Sequence, residues 1–296
     1  MHISVLKDES IDGLGIRPKD IVLDGTLGGG GHTLEIIKRF GQEVKIIGLD
    51  LDKDAILRVK NLIKDFPHDV SFRTIGFQEM NKVLDELNVV HIDKILLDLG
   101  LSSFQLEEAG RGFSFLKDEP LLMTMKKDPS ESDLTAREIV NNWDESSLAD
   151  IIFGFGEEKH SRRIAKEIIE ARKIKKIETT FDLVQIIKNA VGGYYKKEKI
   201  HPATRTFQAL RIATNSELSN LEKVIEDGFN RLSEKGRIAI ITFHSLEDRI
   251  VKNKFKKLKE DGYANIITKK PIVPSAGEII NNPRSRSAKL RIIEKI

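Results

Sequence analysis

The 296-residue chain contains no cysteine. Disulfides, thiolate metal sites and every mechanism built on a cysteine nucleophile are thereby excluded. Nor does it contain an apolar run approaching the roughly 20 residues that cross a bilayer. Residues 1–9 lack the basic-then-apolar pattern of a secretory signal, so a cytoplasmic protein without membrane contact is the expectation. Internal repeats and low-complexity segments are also missing, and the length suits one large domain or two smaller ones. Net charge is only +3, yet it is unevenly placed. From Arg249 to Ile296 thirteen Lys or Arg stand against four Asp or Glu, a surplus of nine that leaves six net negative charges on the remainder. This basic end is a candidate polyanion surface, although Lys252, Lys254, Lys256, Lys257 and Lys259 also suit a solvated helix face.

What is present begins with Asp24-Gly25-Thr26-Leu27-Gly28-Gly29-Gly30-Gly31-His32, directly after an apolar strand at 21–23. Glycines let ligand atoms approach the backbone, and a helix starting near His32 offers unpaired N–H groups. Gly31 stands where a phosphate-binding P-loop needs lysine, and Thr33 where a dinucleotide G-x-G-x-x-G needs its third glycine. The carboxylate of Asp24 would repel a pyrophosphate but suits the cationic, phosphate-free S-adenosylmethionine. A nicotinamide-dependent oxidoreductase remains the rival reading, and a glycine turn without ligand the bland one.

Strand and helix patterns alternate through the first hundred residues, with strands at 44–49, 70–75 and 94–97 and helices at 53–64 and 79–87. Repeated βα units of this kind form a parallel sheet with its ligand at the strands' carboxyl ends. From about 105 to 200 the pattern is helical, for instance at 161–172 and 180–191. A long amphipathic helix then spans apolar positions Phe207, Leu210, Leu218, Leu221, Ile225, Phe229 and Leu232. A strand at 238–243, a helix at 246–259 and strands at 264–268 and 288–293 complete the chain as a closing hairpin. The expected division is a discontinuous sheet domain, 1–106 with 204–296, around a helical insert at 107–203.

Three further positions carry chemistry. Asp50 ends the second strand 26 residues after Asp24, where a carboxylate accepts from ribose hydroxyls; it equally fits a helix N-cap before Lys53. Phe77 follows the third strand and Asp98 ends the fourth, placed to bracket an adenine, although Phe77 also fits the core. The segment 98–103 is the expected wall between cofactor and acceptor.

The stretches DGTLGGGGH, LDLGLSSFQL, RGFSF, HPATRTFQALRI, FHSLEDRIVK and NPRSRSAKLR, in this order from Asp24 to Arg291, closely resemble the bacterial small-subunit (16S) ribosomal RNA cytosine-N4 methyltransferase family. The resemblance implies an α/β fold, a class I, Rossmann-like S-adenosylmethionine-dependent methyltransferase sheet with an inserted all-helical domain for RNA recognition. It implies transfer of a methyl group to the exocyclic N4 amine of a decoding-region cytidine. The partner would be small-subunit ribosomal RNA or the assembled subunit, with homodimerisation left open. Residue by residue, it implies cofactor contacts at Gly30, Gly31, His32, Asp50, Phe77, Asp98 and Gln105; the sequence itself shows no metal site. His244, Arg205, Arg211, Arg249, Arg284 and Arg286 are the expected RNA contacts, because a guanidinium fork matches phosphate geometry. The motifs also admit structural readings: Ser245 and Asp248 have capping-box-like spacing, and Pro202 suits a first helical turn after His201.

Two absences bear on the chemistry. Making carbon 5 of cytosine nucleophilic normally requires a cysteine adduct, so its lack directs transfer to nitrogen or oxygen. The usual amino-methyltransferase Asp-Pro-Pro-aromatic tetrad is replaced by Asp98-Leu99-Gly100-Leu101, leaving Asp98 as one candidate acceptor of the amino proton, inseparable here from a cofactor ligand. Leu122 and Thr124 stand where the family pattern has an acid and an arginine, and Ser4 and Lys7 where it usually has proline and leucine. A diverged paralogue with another RNA target, or a non-enzymatic RNA assembly factor, are the alternatives.

Overall fold

The computed structural model describes residues 4–107, 110–195 and 200–296. The chain divides into two compact units, Met1–Ser102 with Leu218–Ile296, and Ser103–Glu217. The first is built on seven strands: β1 (Ile21–Asp24), β2 (Lys45–Asp50), β3 (Asp69–Thr74), β4 (Ile92–Asp98), β5 (Leu232–Thr242), β6 (Ala264–Ile266) and β7 (Lys289–Lys295). Their order is β3-β2-β1-β4-β5-β7-β6, parallel from β3 to β5, with β7 antiparallel to both neighbours.

Successive strand residues point to opposite faces, which explains the continuous apolar runs. Leu23, Ile47, Ile95, Leu97, Ile238 and Ile240 join a core with Met80, Val83, Leu221, Ile225 and Phe229. Their neighbours Val22, Ile46, Leu96, Ala239 and Ile241 pack instead with Leu14, Ile36, Val59 and Ile63. Helices therefore cover both faces. This is the open, doubly wound Rossmann-like sheet expected above, and its order reverses between β1 and β4. In open α/β sheets the ligand crevice lies at such a reversal, outside the carboxyl ends of the strands.

The single helix expected across 207–232 is two helices, Thr204–Asn215 and Glu217–Arg231. Ser216 between them adopts φ 50° and ψ 37°, a left-handed conformation that ends a helix, and Leu232 already begins β5. Thr204–Asn215 buries Phe207, Leu210 and Ile212 and packs on helices Ala136–Asn142 and Glu145–Gly154. The compact helical unit runs from 103 to 217 and contains the whole of the insert expected at 107–203.

That second unit also contains helices Ser161–Ile174 and Thr180–Val191, the latter opened by a capping box between Thr179 and Asp182. Thr124 is buried inside it, its hydroxyl accepting from the Lys126 N–H at 3.3 Å, while the Leu122 carbonyl accepts from Ala136 N–H at 2.9 Å. Thr124 thus serves the internal packing of the helical unit, whereas the contact at Leu122 is made by its backbone and does not explain the side chain. Among the described residues no helix is long and apolar enough to cross a membrane.

Candidate active site at the carboxyl ends of β1, β2 and β4

Close packing accounts for glycine at Gly25 and Gly30. A Cβ on Gly25 would lie 2.5 Å from Leu97 Cδ2 and 3.1 Å from Phe77 Cβ, so strand β4 and Phe77 press directly on the loop. Gly30 caps helix Gly31–Phe40 at φ 76°, and its Cβ would meet Val59 Cγ2 at 2.6 Å. At Gly31 the nearest atom to a Cβ is Ser4 Oγ, at 2.1 Å. Val59 is fully buried, whereas Ser4 can rotate its hydroxyl away. Gly30→Ala should therefore lower unfolding free energy by about 1–3 kcal/mol through left-handed strain and overpacking, and Gly31→Ala by clearly less. Urea melts of the two variants check this ranking.

Three carboxylates stand at the ends of three adjacent strands. Asp24 is 2% exposed; its Oδ2 accepts from the Thr33 hydroxyl at 2.6 Å and its Oδ1 from the Thr26 N–H at 3.2 Å. Asp50 accepts from the Gly28 N–H on Oδ2 and from the Asp52 N–H on Oδ1, both at 2.8 Å. It therefore holds the glycine loop, while the helix Lys53–Ile63 is capped by Asp52, so the N-cap reading does not apply to Asp50. Asp98 is anchored through its backbone N–H, which donates to the Thr26 hydroxyl at 2.6 Å; its Oδ1 is buried without a hydrogen-bond partner.

Removal from water destabilises these carboxylates as anions. Burial, with further repulsion from Asp24 and Glu247, pushes the Asp98 carboxyl up to about 7. Burial likewise raises Asp24 to about 6, against the pull of its bonds to Thr33 and Thr26. Asp50 is raised in the same direction, chiefly by burial. A crevice lined this way favours a cationic ligand and disfavours a pyrophosphate.

His32 sits in the first turn of helix Gly31–Phe40. Its Nε2 lies 3.2 Å from the Val5 carbonyl, an acceptor only, so that nitrogen carries a hydrogen, and its Nδ1 lies 3.9 Å from Asp98 Oδ2. The same helix is tied to helix Lys7–Leu14 by Arg39, which bonds Asp8, Asp12 and Glu35, and by Lys7 to Glu35 at 3.0 Å. Phe77 opens a short 3-10 turn and packs against the core, so it is both a core residue and a neighbour of the loop. Gln105 belongs to the helical unit, in helix Ser103–Glu107.

After β5, helix Ser245–Glu260 is capped at His244 rather than at Ser245. Glu247 accepts from the Phe243 N–H at 2.8 Å and from the His244 N–H at 3.3 Å. Asp248, expected in a capping box, instead binds Arg291 at 2.6 Å and Lys289 at 3.1 Å, joining the helix to β7. Arg249, Arg284 and Arg286 are exposed on this unit. In the helical unit, Arg211 gives both arms of its guanidinium to Glu217 at 2.8 Å, and Arg205 faces Tyr195 and buried Glu158. His201 stacks on Phe115, ring centroids 4.6 Å apart, and its Nδ1 accepts from the Ala203 N–H.

Thr26, Thr33 and Glu247 are the site residues that sequence reasoning did not single out. Thr33 was legible only as a missing glycine, yet its hydroxyl is what satisfies Asp24. A hydroxyl in the first turn of the helix that follows a strand-terminal acid and its glycine loop is the signal that could have found it.

Residues 1–296 match the MraW methylase family along the whole chain. Ribosomal RNA small subunit methyltransferase H of Clostridium botulinum strain Kyoto is 47% identical, with 100% of this chain and 99% of that protein aligned. The protein of the same description from strain Loch Maree is also 47% identical over the same shares. Among solved structures, an rRNA methylase from Streptococcus thermophilus shares 11% identity at a TM-score of 0.45, covering 99% of this chain and 98% of that one. With full-length matches of this strength, the chain belongs to the MraW methylase family.

Proposed function

We propose that the protein transfers a methyl group from S-adenosylmethionine to the exocyclic N4 amine of a cytidine in the decoding region of small-subunit ribosomal RNA. The observation that carries the reading is the convergence of Asp24, Asp50 and Asp98 around a glycine loop at the sheet's order reversal, together with the unpartnered, buried Asp98 Oδ1. The fit to a sulfonium is chemical: three partly or fully buried acids, two of them raised to about 6 and about 7, would be stabilised as anions by a positive charge. When bound, the cofactor supplies an electrophilic methyl group. Asp50 and the Gly28–Gly31 backbone would hold its ribose and amino-acid parts, and Phe77 its adenine.

The chain's own contribution is positioning and proton transfer. As the amine nitrogen gains a carbon it must lose a hydrogen, and Asp98 is the acceptor at hand. Its carboxyl value near 7 suits a base working at neutral pH. The absence of cysteine favours this direct route over attack from carbon 5. The name shared by the full-length relatives supports small-subunit ribosomal RNA as the substrate, and a cytoplasmic location accords with that substrate.

Cofactor affinity should depend on pH with a defined sign. Asp98 and Asp24 are protonated below their raised values and then no longer attract a cation. Between pH 8 and pH 6 the affinity for S-adenosylmethionine should fall about 10–20-fold, since one unit below a group at 7 leaves about a tenth of it ionised. S-adenosylhomocysteine, uncharged at sulfur, should weaken less. Calorimetry at both pH values reads the difference, and equal pH dependence of the two ligands would contradict the assignment.

The decisive test of the reaction is methyl transfer to small-subunit particles from cells lacking this protein, followed by nucleoside mass spectrometry. N4-methylcytidine in the decoding region is the expected product. Another methylated nucleoside, or the same one in a different RNA, would point to a diverged paralogue.

A further inference from the structure

Helix Ser245–Glu260 leads away from His244, and part of its flank borders a cavity of about 170 Å³ beside β6 and β7 at one edge of the sheet. Lys252, Lys256, Lys269 and Arg291 line the cavity, with Phe255 and Ile266 as its apolar wall. Among the described residues none of the lining side chains is acidic. Arg291 is engaged by Asp248 at 2.6 Å and acts as structure. Lys252 and Lys269 are exposed and form no ion pair among the described residues. Lys256 reaches only Glu260, at 3.3 Å in an exposed pair along the helix, a contact that contributes little.

The space is several times the ~30 Å³ share of one water, enough to leave the bordering lysines unobstructed by other side chains. Three exposed lysines border this mostly apolar hollow, and they lie in the segment whose surplus of nine cations contrasts with a net negative remainder. At 1.5 Å per residue, Lys252 and Lys256 stand about 10 and 16 Å along the helix from Ser245, roughly three to five phosphates at ~3.4 Å each.

We propose that this cleft grips the phosphodiester backbone of the substrate RNA a few nucleotides from the target cytidine, through Lys252, Lys256 and Lys269. The inference rests on the RNA methyltransferase reading above. Lysines act as point charges, so the grip fixes register without reading sequence.

The test is binding of a labelled decoding-region fragment of small-subunit ribosomal RNA between 50 and 200 mM salt, with the triple variant Lys252→Gln, Lys256→Gln, Lys269→Gln. Four phosphate contacts to a single strand give a log-log slope of about −3 for the unaltered protein, and losing three gives about −1. Affinity at 150 mM salt should fall at least tenfold, with melting temperature and S-adenosylhomocysteine affinity unchanged. A charge-matched control, Lys60→Gln, Lys64→Gln, Lys82→Gln, should change the slope far less. Equal losses in the control, an unaltered slope in the first variant, or loss of phosphatidylglycerol-vesicle binding with RNA binding intact would each overturn the proposal. Methyl transfer by the unaltered protein is measured in parallel. Its absence overturns the parent reading, whereas an active enzyme whose variant keeps the full slope overturns only the cleft.

Discussion

Asp98→Asn should lower methyl transfer by at least about 100-fold while making the ligand-free protein more stable at pH 8. The first effect follows from removing the proton acceptor, a role worth about 100-fold to 10,000-fold. The second follows from the raised carboxyl. Asp98 titrates near 7 when folded and at 3.8 in its ordinary environment, so its contribution to stability is full below about pH 4 and is lost as pH rises through 7. At pH 8 the folded protein must hold an anion that burial, Asp24 and Glu247 all oppose. Asparagine carries no charge and keeps the shape.

Raising a carboxyl from 3.8 to about 7 corresponds to roughly 4 kcal/mol if nothing relaxes. The side chain is 17% exposed and shares its repulsion with Asp24, so a gain of about 1–2 kcal/mol, or several degrees in melting temperature, is the expected size. The gain should vanish at pH 4, where both proteins are neutral at this position. Full turnover in the variant would remove Asp98 from the chemistry, and a lower melting temperature at pH 8 would refute its electrostatic setting.

Asp50→Ala should weaken S-adenosylhomocysteine binding by about 10–150-fold, the equivalent of 1.5–3 kcal/mol for charge-assisted hydrogen bonds. Each Asp50 oxygen already accepts one backbone N–H, from Gly28 and from Asp52, and each retains a second lone pair for a ribose hydroxyl. Alanine therefore removes a ligand contact and releases the loop that shapes the pocket. Asp50→Asn keeps one acceptor oxygen and should lose less. Calorimetry that finds both variants binding normally would show that Asp50 serves the loop alone.

The sheet was largely legible because parallel strands buried on both faces read as short apolar runs. Helix Thr180–Val191 falls where the spacing puts it, and β2 to β4 lie within two residues of expectation at their shared carboxyl ends. The helix expected across 207–232 was not legible as two, because its apolar spacing continues through Ser216. Left-handed backbone at a serine carries no composition signal of the kind a glycine would. The cap of helix Ser245–Glu260 was misplaced by one residue for a related reason. Ser-x-x-Asp and His-x-x-Glu overlap in sequence, and only the strand geometry before His244 presents the N–H groups to Glu247.

By itself the sequence determined the chemistry available: no thiol, a glycine loop without the lysine or third glycine of phosphate binders, and acids at the ends of apolar strands. These depend on residue type and spacing, which local periodicity reports. Tertiary structure decided what each acid is for. Asp24 is satisfied by Thr33, Asp50 holds Gly28, and Asp98 is left with a bare oxygen and a carboxyl near 7. Burial, hydrogen-bond partners and the repulsion of like charges arise only when distant strands are brought side by side. The same holds for the basic end, where packing of one helix beside β6 and β7 turns scattered lysines into a cleft.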